Sequence, residues 1–384
     1  MAGQKNHSKR KRRKRKLIVF VVELIILAVL ASAVVVYHKF DLINSAKLDK
    51  EKIGTNELSD AMKKTFEGYT TIALFGLDNR TQGVYTTGNS DVIMVLNINN
   101  DTKEVQMVSV YRDTYLNVAA SDEAPKYNKA NAAYAYGGPE QAVTMLNRNL
   151  DLDIDNYVSF DFSAVASAID ILGGVDIEIT SDAELGYLND YIEHTNGILG
   201  TSAKRIDSVG KHTLDGVQAV AYSRIRYTKG GDFKRAERQR RVFSQMVKKA
   251  KKANPVKLNA LVEEVFPKIE TDLERNDIIS MVIAMIGYDM SDSRGFPFDK
   301  KGIKLARSQG GDVVVPCDLE YNVERLHKFL FEEKEYEVSA DVKAYSADIT
   351  NITGYTKDSG ETDEFSEADD FDGTKQSGED GQTE

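Results

Sequence analysis

The chain has 384 residues, of which 41% are hydrophobic, so it can hold one large domain or two ordinary ones around a buried core. Its formal net charge is −10, yet residues 1–16 contain nine Lys or Arg and no acid, whereas residues 357–384 contain eleven acids and two lysines. The single cysteine, Cys317, excludes an intramolecular disulfide and a zinc site made of four cysteines.

The N-terminal part of the chain predicts a membrane anchor. Residues 17–37 are apolar except for Glu23 and Ser32, a length that crosses ~30 Å of hydrocarbon as a helix. A cleaved signal peptide has a shorter apolar region, so we favour a retained anchor over cleavage near residues 31–33. The basic residues 1–16 predict a cytoplasmic N-terminus that meets anionic lipid heads, with the rest of the chain outside the cell membrane. The polar residues 38–68 are interpreted as a juxtamembrane spacer with some helix.

A catalytic domain is predicted over residues 69–338, where strand and helix patterns alternate. This alternation favours an α/β fold with a mixed central sheet flanked by helices on both faces. Residues 181–211 are interpreted as a surface excursion, and residues 339–384 as an acidic, disordered tail. The remaining elements are predicted as strands 71–75, 91–98, 104–111, 158–162, 175–179 and 313–315, and as helices 126–138, 139–150, 163–172, 214–224, 256–265, 275–288 and 323–331.

Charged residues stand at one end of each of the first three predicted strands. Asp78 and Arg80 follow the first strand, Asp91 begins the second, and Arg112 and Asp113 follow the third. If the first and third strands run parallel, with the second antiparallel between them, Asp78, Arg112 and Asp91 lie at the same edge of the sheet. Open α/β sheets bind their ligands at such an edge.

The stretch from residue 222 to 241 contains six arginines and two lysines. Arg224 and Arg226 are two residues apart, so in an extended segment they share a face. Gly230 to Asp232 predicts a loop followed by a helix, with Asp232 as the N-cap. On that helix Asp232, Arg235 and Gln239 form one stripe, with Arg238 beside it. Paired guanidinium groups suit phosphate, although a charge run of this kind can also be a solvated helix face.

Several common catalytic motifs are missing from the sequence. It has no Walker A loop, no GxGxxG after a strand, no HExxH and no GxSxG, and its five histidines are scattered. Arginines with carboxylates at strand ends favour phosphoryl or glycosyl-phosphate transfer by positioning and charge neutralisation. Asp78 and Asp91 could hold one Mg²⁺ against a pyrophosphate. The alternative for these two aspartates is a helix cap or a structural ion pair.

Six motifs resemble, in their order, those of the LytR-CpsA-Psr family of cell-wall enzymes. They are GLDNR (76–80), NSDVIMV (89–95), VSVYRDT (108–114), KANAAYAYGG (129–138), YSRIRY (222–227) and GDFKRAERQRRV (231–242). The resemblance covers roughly residues 70–250 and does not extend beyond residue 338. Tyr111 is a departure, because family members often carry proline before the Arg-Asp pair.

The resemblance implies a membrane-anchored phosphotransferase at the outer face of a Gram-positive membrane. Such an enzyme moves a glycopolymer, such as capsular polysaccharide or teichoic acid, from an undecaprenyl pyrophosphate carrier to peptidoglycan. It also implies an apolar groove for the polyprenyl chain. The family's pyrophosphate-binding residues match Arg112, Arg224, Arg226, Arg235 and Gln239, and its magnesium-binding aspartates match Asp78 and Asp91. The predicted site comprises these residues together with Arg80, Asp113, Asp232 and Arg238, of which Asp78, Asp91, Arg112 and Asp113 are the catalytic set.

Three alternatives to this function are open at the level of the sequence. The chain could hydrolyse a lipid-linked pyrophosphate, bind an anionic polymer without catalysis, or regulate the cell envelope. A domain outside the membrane has no access to DNA, so nucleic acid is not expected as a partner.

Overall fold

The computed structural model of the chain describes residues 44–77, 85, 88–228, 230–284, 287–332 and 336–362. Within these ranges, no helix combines the length and the apolar character that a membrane crossing requires. The predicted basic segment 1–16 and membrane span 17–37 lie outside the described residues, as does the chain from residue 363 onward.

The described elements alternate between strands and helices along most of the chain. The strands are β1 Asn44–Ser45, β2 Tyr69–Leu77, β3 Ser90–Asn99, β4 Glu104–Val110, β5 Tyr115–Asn117, β6 Tyr127–Lys129, β7 Asn156–Asp161, β8 Val175–Ile179, β9 Gly210–Leu214, β10 Ile269–Thr271, β11 Asp289–Phe296, β12 Asp299–Lys304, β13 Asp312–Pro316 and β14 Glu361–Thr362. The α-helices are α1 Asp60–Glu67, α2 Ala132–Leu150, α3 Phe162–Leu172, α4 Asp182–Leu199, α5 Gly216–Arg224, α6 Gly231–Ala250, α7 Pro255–Val265, α8 Arg275–Ala284, α9 Leu319–Phe331 and α10 Ala340–Thr353.

A mixed seven-stranded sheet with the order β1-β10-β7-β2-β3-β4-β11 forms the centre of the fold. Strand β3 pairs antiparallel with both β2 and β4, so β2 and β4 run in the same direction. Strand β7 is parallel to β2, and β11 is parallel to β4. Smaller sheets are formed by β13-β12-β14, β5-β6 and β8-β9. The predicted mixed α/β fold is therefore confirmed.

The two faces of the central sheet bury different side chains because residues alternate along each strand. Phe75 and Val95 point into a large core shared with α2, α9 and α10. Leu74 and Met94 belong to the opposite face, against which Phe243 of α6 packs. A further cluster joins α3, α4, α5 and the β8-β9 pair. Helices thus flank the sheet on both sides, and α3 and α6 stand over the face that carries Met94.

The glycine pair in the middle of α2 divides this helix as the sequence predicts. Gly137 (φ −150°) and Gly138 (φ 64°) have non-helical angles, and Pro139 follows them. The start of the region differs from the prediction, because residues 127–129 form strand β6 against β5 and not the first turn of a helix.

Several other predictions about elements are wrong. The supposed surface excursion 181–211 contains the 18-residue helix α4 and reaches β9. The predicted helix 275–288 ends at Ala284, and an unpredicted edge strand, β11, follows it.

The ends of the catalytic domain also lie elsewhere than predicted. Chain after residue 338 forms α10, whose Val342 and Tyr345 are buried, so the ordered fold continues past the expected start of a disordered tail. On the N-terminal side, Leu48 and Met62 join the main core, and β1 pairs with β10, so much of the expected spacer is packed on the domain.

Candidate active site

The sheet brings the charged strand ends together, as the strand directions predicted. Leu77, the last residue of β2, pairs with Ser90 at the start of β3, and β4 ends at Val110 in the same direction as β2. Asp91 and Arg112 therefore meet at one edge, where an Arg112 Nη1 and an Asp91 Oδ1 lie 2.5 Å apart. Asp78 and Arg80 follow β2 but lie outside the described residues.

Asp91 is an ionised carboxylate held among arginines. Its second oxygen, Oδ2, accepts a hydrogen bond from Arg226 Nη2 at 3.3 Å. Burial opposes ionisation of Asp91, but the charges of Arg112, Arg235 and Arg226 outweigh it and hold the pKa of this carboxyl below its usual range. Asp91 therefore carries a full negative charge at neutral pH.

Arg224 and Arg226 both face the same cavity. Arg224 is the last residue of α5, and the residue between the two arginines, Ile225, is extended (φ −61°, ψ 125°) and buried. The prediction of a fully extended segment is wrong, yet the shared face is present because the helix ends between the two arginines. Arg224 Nη1 donates to Thr195 Oγ1 at 3.1 Å, and its guanidinium lies 4.8 Å from the ring centroid of Phe162.

Helix α6 begins at Gly231 after a turn that requires glycine. Gly230 (φ 96°) is the N-cap and Gly231 has φ 51°, both in the left-handed region. Asp232 is thus inside the first turn and is not the N-cap, which corrects the prediction. Its carboxylate instead forms ion pairs with Arg235 Nη2 at 2.8 Å and with Arg112 Nε at 3.7 Å.

Arg235 is a buried cation with spare hydrogen-bonding capacity. The residue is 3% exposed, and burial lowers the pKa of its guanidinium to about 10, so the group stays charged at neutral pH. Its Nε and Nη1 are buried and have no hydrogen-bond partner among the residues that the structure describes. Buried N–H groups normally have partners, so these two donors indicate a site for an anion.

We call the space in front of these groups the polar cavity. It has a volume of about 190 Å³ and is lined by residues from β3, α3, α4, α5 and α6 and from the α5–α6 loop. Its lining residues are Asp91, Phe162, Tyr191, His194, Arg224, Arg226, Arg235 and Gln239. Three arginines against one carboxylate make the cavity strongly cationic, which fits a phosphate-bearing ligand.

A second space, the apolar groove, continues from the polar cavity. It has a volume of about 160 Å³ and shares Phe162 and Gln239 with the cavity as lining residues. Its other walls are formed by the central sheet, by helices α3, α5 and α6, and by residues 265 and 269. The side chains in these walls are Val92, Met94, Phe160, Ala164, Val165, Ala168, Val220, Ser223, Val242, Phe243, Met246, Val265 and Ile269. A ligand with a charged head and a long hydrocarbon tail fits the two spaces together.

Four of the predicted site residues that the structure describes do not line the polar cavity, namely Arg112, Asp113, Asp232 and Arg238. Arg238 is 6% exposed and forms a buried ion pair with Glu184, with Arg238 Nη2 and Glu184 Oε1 2.9 Å apart. It holds α6 against α4 and does not line the polar cavity. Asp113 is paired with Lys129 at 3.0 Å and with Arg112 Nε at 3.4 Å, so it supports Arg112 from behind the cavity.

The sequence prediction missed Phe162, Tyr191 and His194, because it placed the segment with the latter two in a surface loop. A signal for helix α4 was present: Ser181 and Glu184 have N-cap spacing, and the Ser181 hydroxyl accepts from the Glu184 N–H at 3.2 Å. Leu188 and Ile192, four residues apart, provide the buried face.

Comparisons with known proteins identify relatives of this chain. The chain is 29% identical over 256 residues to the polyisoprenyl-teichoic acid–peptidoglycan teichoic acid transferase TagU of Enterococcus faecalis, covering 66% of this chain and 77% of that protein. It is 26% identical over 333 residues to the transferase of the same description, TagV, of Bacillus subtilis, covering 81% and 78%.

Solved structures share the fold. A structure of TagT with bound octaprenyl pyrophosphate lipid superposes with a TM-score of 0.53 at 22% identity, covering 74% of this chain and 99% of that one. Protein gbs0355 of Streptococcus agalactiae gives a TM-score of 0.59 at 23% identity, covering 74% and 94%.

The family model described as LytR_cpsA_psr matches residues 36–293, which include every residue of the polar cavity and the apolar groove. The chain therefore belongs to the LytR_cpsA_psr family.

Proposed function

We propose that this protein transfers a glycopolymer from a polyprenyl pyrophosphate carrier to peptidoglycan. The observation that carries the proposal is the continuity of the cationic polar cavity with the apolar groove through Phe162 and Gln239. The groove takes the polyprenyl chain, and the arginines take the pyrophosphate. The named transferases TagU and TagV, to which the chain is similar, support the same reaction class.

The reaction is a displacement at phosphorus. An acceptor hydroxyl oxygen of peptidoglycan attacks the phosphorus that bears the glycan, and the P–O bond to the second phosphate breaks. Polyprenyl phosphate leaves with the bonding electron pair, and the hydroxyl proton passes to solvent. The product joins glycan and peptidoglycan through one phosphate.

The side chains of the polar cavity contribute by charge and position. Arg224, Arg226 and Arg235 neutralise the non-bridging oxygens, on which negative charge accumulates as the leaving group departs. Arg235 Nε and Nη1, which have no partner among the described residues, are the donors that we assign to these oxygens. Asp91 holds Arg112 and Arg226 in place before substrate arrives. The described lining of the cavity includes no serine or cysteine, and we propose direct attack by the acceptor hydroxyl without a covalent enzyme intermediate.

We also propose Mg²⁺ as the cofactor, held by Asp91 together with Asp78. Carboxylate oxygens are the ligands that Mg²⁺ prefers, and the depressed pKa of Asp91 keeps this group ionised. Both Asp91 oxygens already accept from arginines, but each carboxylate oxygen has a second lone pair. The described residues contain no cluster of three or more acidic, histidine or cysteine ligands, so substrate oxygens would complete the coordination. When bound, the ion neutralises charge on the leaving phosphate.

A transfer assay tests the proposed function. Purified full-length protein is incubated with a polyprenyl pyrophosphate-linked glycan, MgCl₂ and peptidoglycan oligomers, and products are separated by mass. We expect a phosphodiester-joined product and polyprenyl phosphate. Free glycan phosphate without a joined product would instead identify a hydrolase, and donor binding without either product would identify a polymer-binding protein.

The metal proposal has its own test. Asp91→Asn should lower transfer at least a hundredfold while lipid binding falls less, because the arginines and the groove still hold the donor. A chelator added to the unmutated protein should lower transfer in the same way. Added MgCl₂ should restore transfer by the chelated protein but not by the Asp91→Asn variant. Transfer that persists in both conditions would leave Asp91 as a structural partner of Arg112.

We propose that residues 17–37 anchor the protein in the cell membrane, with residues 1–16 in the cytoplasm and the catalytic domain outside. The 21-residue apolar run and the nine basic residues before it support this topology. It places the domain on the side of the membrane where peptidoglycan is assembled.

A further inference from the structure

The apolar groove has a direction that its lining residues define. Along α6, Gln239 is shared with the polar cavity and Met246 lines the groove alone, seven residues or ~10 Å further toward the C-terminus. Along α3, Phe162 is shared and Ala168 lies further on. Both helices therefore have their N-terminal ends at the polar cavity, and the far end of the groove lies toward their C-terminal ends.

Lysines are concentrated at this far end. Residues 247–262 contain five lysines and no acid, in a chain whose net charge is −10. Lys248 and Lys252 are exposed just past Met246. Lys257 Nζ donates to the carbonyl of Leu172, the last residue of α3, at 2.8 Å, so it stands at the end of the second groove helix. We call residues 248–257 the basic rim.

The basic rim keeps a net positive charge after its neighbours are considered. Asp176 neutralises one lysine, Lys249, at 2.7 Å. Glu263 and Glu264 lie beyond the rim, two turns further along α7. Lys248, Lys251, Lys252 and Lys257 remain as surplus charge.

The rim also exposes an apolar side chain. Val256, in the first turn of α7, is 77% exposed, and no residue of α7 is buried. A lone exposed valine is ordinary, but lysines around an exposed apolar residue at the mouth of a lipid groove are typical of segments that lie in the membrane interface. An anionic polymer in water would be attracted by the lysines alone, so the exposed valine favours a lipid surface.

We propose that the basic rim docks onto an anionic bilayer, so that the far end of the apolar groove opens directly onto the lipids. The inference rests on the proposed function, because the groove must receive a carrier lipid. Lysine ammonium groups would contact anionic lipid heads, and Val256 would enter the boundary between heads and acyl chains. The polyprenyl chain could then enter the groove without crossing water.

A fluorescent probe tests the docking directly. Full-length Val256→Cys is labelled with an environment-sensitive dye, since Cys317 is buried, and is reconstituted into vesicles of phosphatidylcholine alone or with 30% phosphatidylglycerol. We expect a blue shift of emission only when phosphatidylglycerol is present, and its loss in high salt. Ile352→Cys, at an exposed apolar residue of α10, is the control and should not respond. If the dye at residue 256 emits at the same wavelength as the dye at residue 352 in both kinds of vesicle, the proposal is overturned.

A kinetic test separates this inference from the proposed function. Lys248→Gln/Lys252→Gln should raise the KM for a long-chain donor embedded in phosphatidylglycerol vesicles at least fivefold, because each lysine near an anionic surface contributes severalfold to the attraction. The KM for a water-soluble short-chain donor should not change. Lys343→Gln on α10 is the matched control. An unchanged KM of the double variant for the embedded donor would contradict docking but not the proposed transferase function. If the unmutated protein uses neither donor, the proposed function is contradicted. Equal increases for both donors would indicate a polymer-binding rim and also overturn the proposal.

Discussion

Arg235 and Arg238 are one helical turn apart on α6, but their guanidinium groups have different roles. Arg238 meets one buried carboxylate, that of Glu184, and also donates to the Ile225 carbonyl and Thr228 Oγ1. Arg235 shares Asp232 with Arg112 and keeps two buried donors without a partner in the described chain. Arg238 is therefore a structural arginine, whereas Arg235 keeps the donors that we propose bind the pyrophosphate.

Replacement of Arg224 or Arg226 by lysine tests the guanidinium geometry. Either change keeps the charge but removes the planar pair of donors, so kcat/KM for transfer should fall at least tenfold, or about 1.4 kcal/mol of transition-state stabilisation. Arg205→Lys is the control, because Arg205 pairs with Glu193 on the surface and is not in the cavity. Lysine variants as active as the control would make Arg224 and Arg226 part of a solvated face.

The buried Glu184–Arg238 pair predicts a pH-dependent stability. Burial opposes ionisation of Glu184, but hydrogen bonds from Thr180 and the pair with Arg238 outweigh it, so the pKa of Glu184 lies below its usual value. The stabilisation is therefore present above the unfolded pKa of about 4.3 and is lost as pH falls through the lower folded pKa.

Glu184→Gln should lower the free energy of unfolding by about 3 kcal/mol at pH 7, since it leaves Arg238 buried without a counter-charge, and by less at pH 3. Denaturant unfolding at the two pH values measures this. Glu193→Gln is the control, as its pair with Arg205 is solvent-exposed and contributes at most about 1 kcal/mol. Equal effects of the two substitutions would be incompatible with a buried pair at Glu184.

Sequence patterns identified which arginines gather but not which of them bind ligand. Spacing put Arg235, Arg238 and Gln239 near one stripe, and both Arg235 and Gln239 line the cavity. Arg238 does not line the cavity because its guanidinium is paired with Glu184, which lies 54 residues away in the sequence. Such a pairing is set by the packing of α4 and α6 on α5, which local periodicity does not report.

At the scale of elements, α10 shows that a polar composition can conceal a packed helix. Val342, Tyr345 and Ile349 are spaced by three and four residues and are all buried in the main core, while the intervening residues are polar or alanine. Strand β11 was missed for a similar reason. It is polar over most of its length and pairs with β4 at the sheet edge, where a hydrophobic run is not required. The buried strands β2 and β3 have continuous apolar runs, and β4 has four apolar residues interrupted by Gln106 and Ser109, so all three were predictable.

The role of α10 in stability is open to a direct test. Ile349 is 1% exposed, so Ile349→Ala should cost about 2–5 kcal/mol of unfolding free energy through lost burial and a cavity. Ile352→Ala, three residues further in the same helix and 40% exposed, should change stability by at most about 0.5 kcal/mol. Urea unfolding compares the two. If Ile349→Ala lowers the free energy of unfolding no more than Ile352→Ala does, α10 is not part of the cooperative core.

At the scale of the whole molecule, the proposed topology has a simple consequence for protease access. Protease added to intact protoplasts should cleave sites after residue 38 and leave an N-terminal tag on residues 1–16 protected, because the basic segment stays in the cytoplasm. Permeabilised protoplasts should lose the tag and serve as the control. Cleavage of the tag in intact protoplasts would place the domain on the wrong side for a peptidoglycan acceptor.

The short distance over which the apolar groove follows α6 limits how much of the carrier lipid the protein can contact. From Gln239 to Met246 the groove follows α6 for only ~10 Å, less than the ~15 Å depth of one leaflet. In the proposed complex the protein grips the first isoprene units next to the pyrophosphate, and the remainder of the chain stays dissolved among its neighbours. The protein would then distinguish carriers by their pyrophosphate head and the nearest isoprene units, and not by the total length of the chain. The carrier lipid would not have to leave the membrane completely.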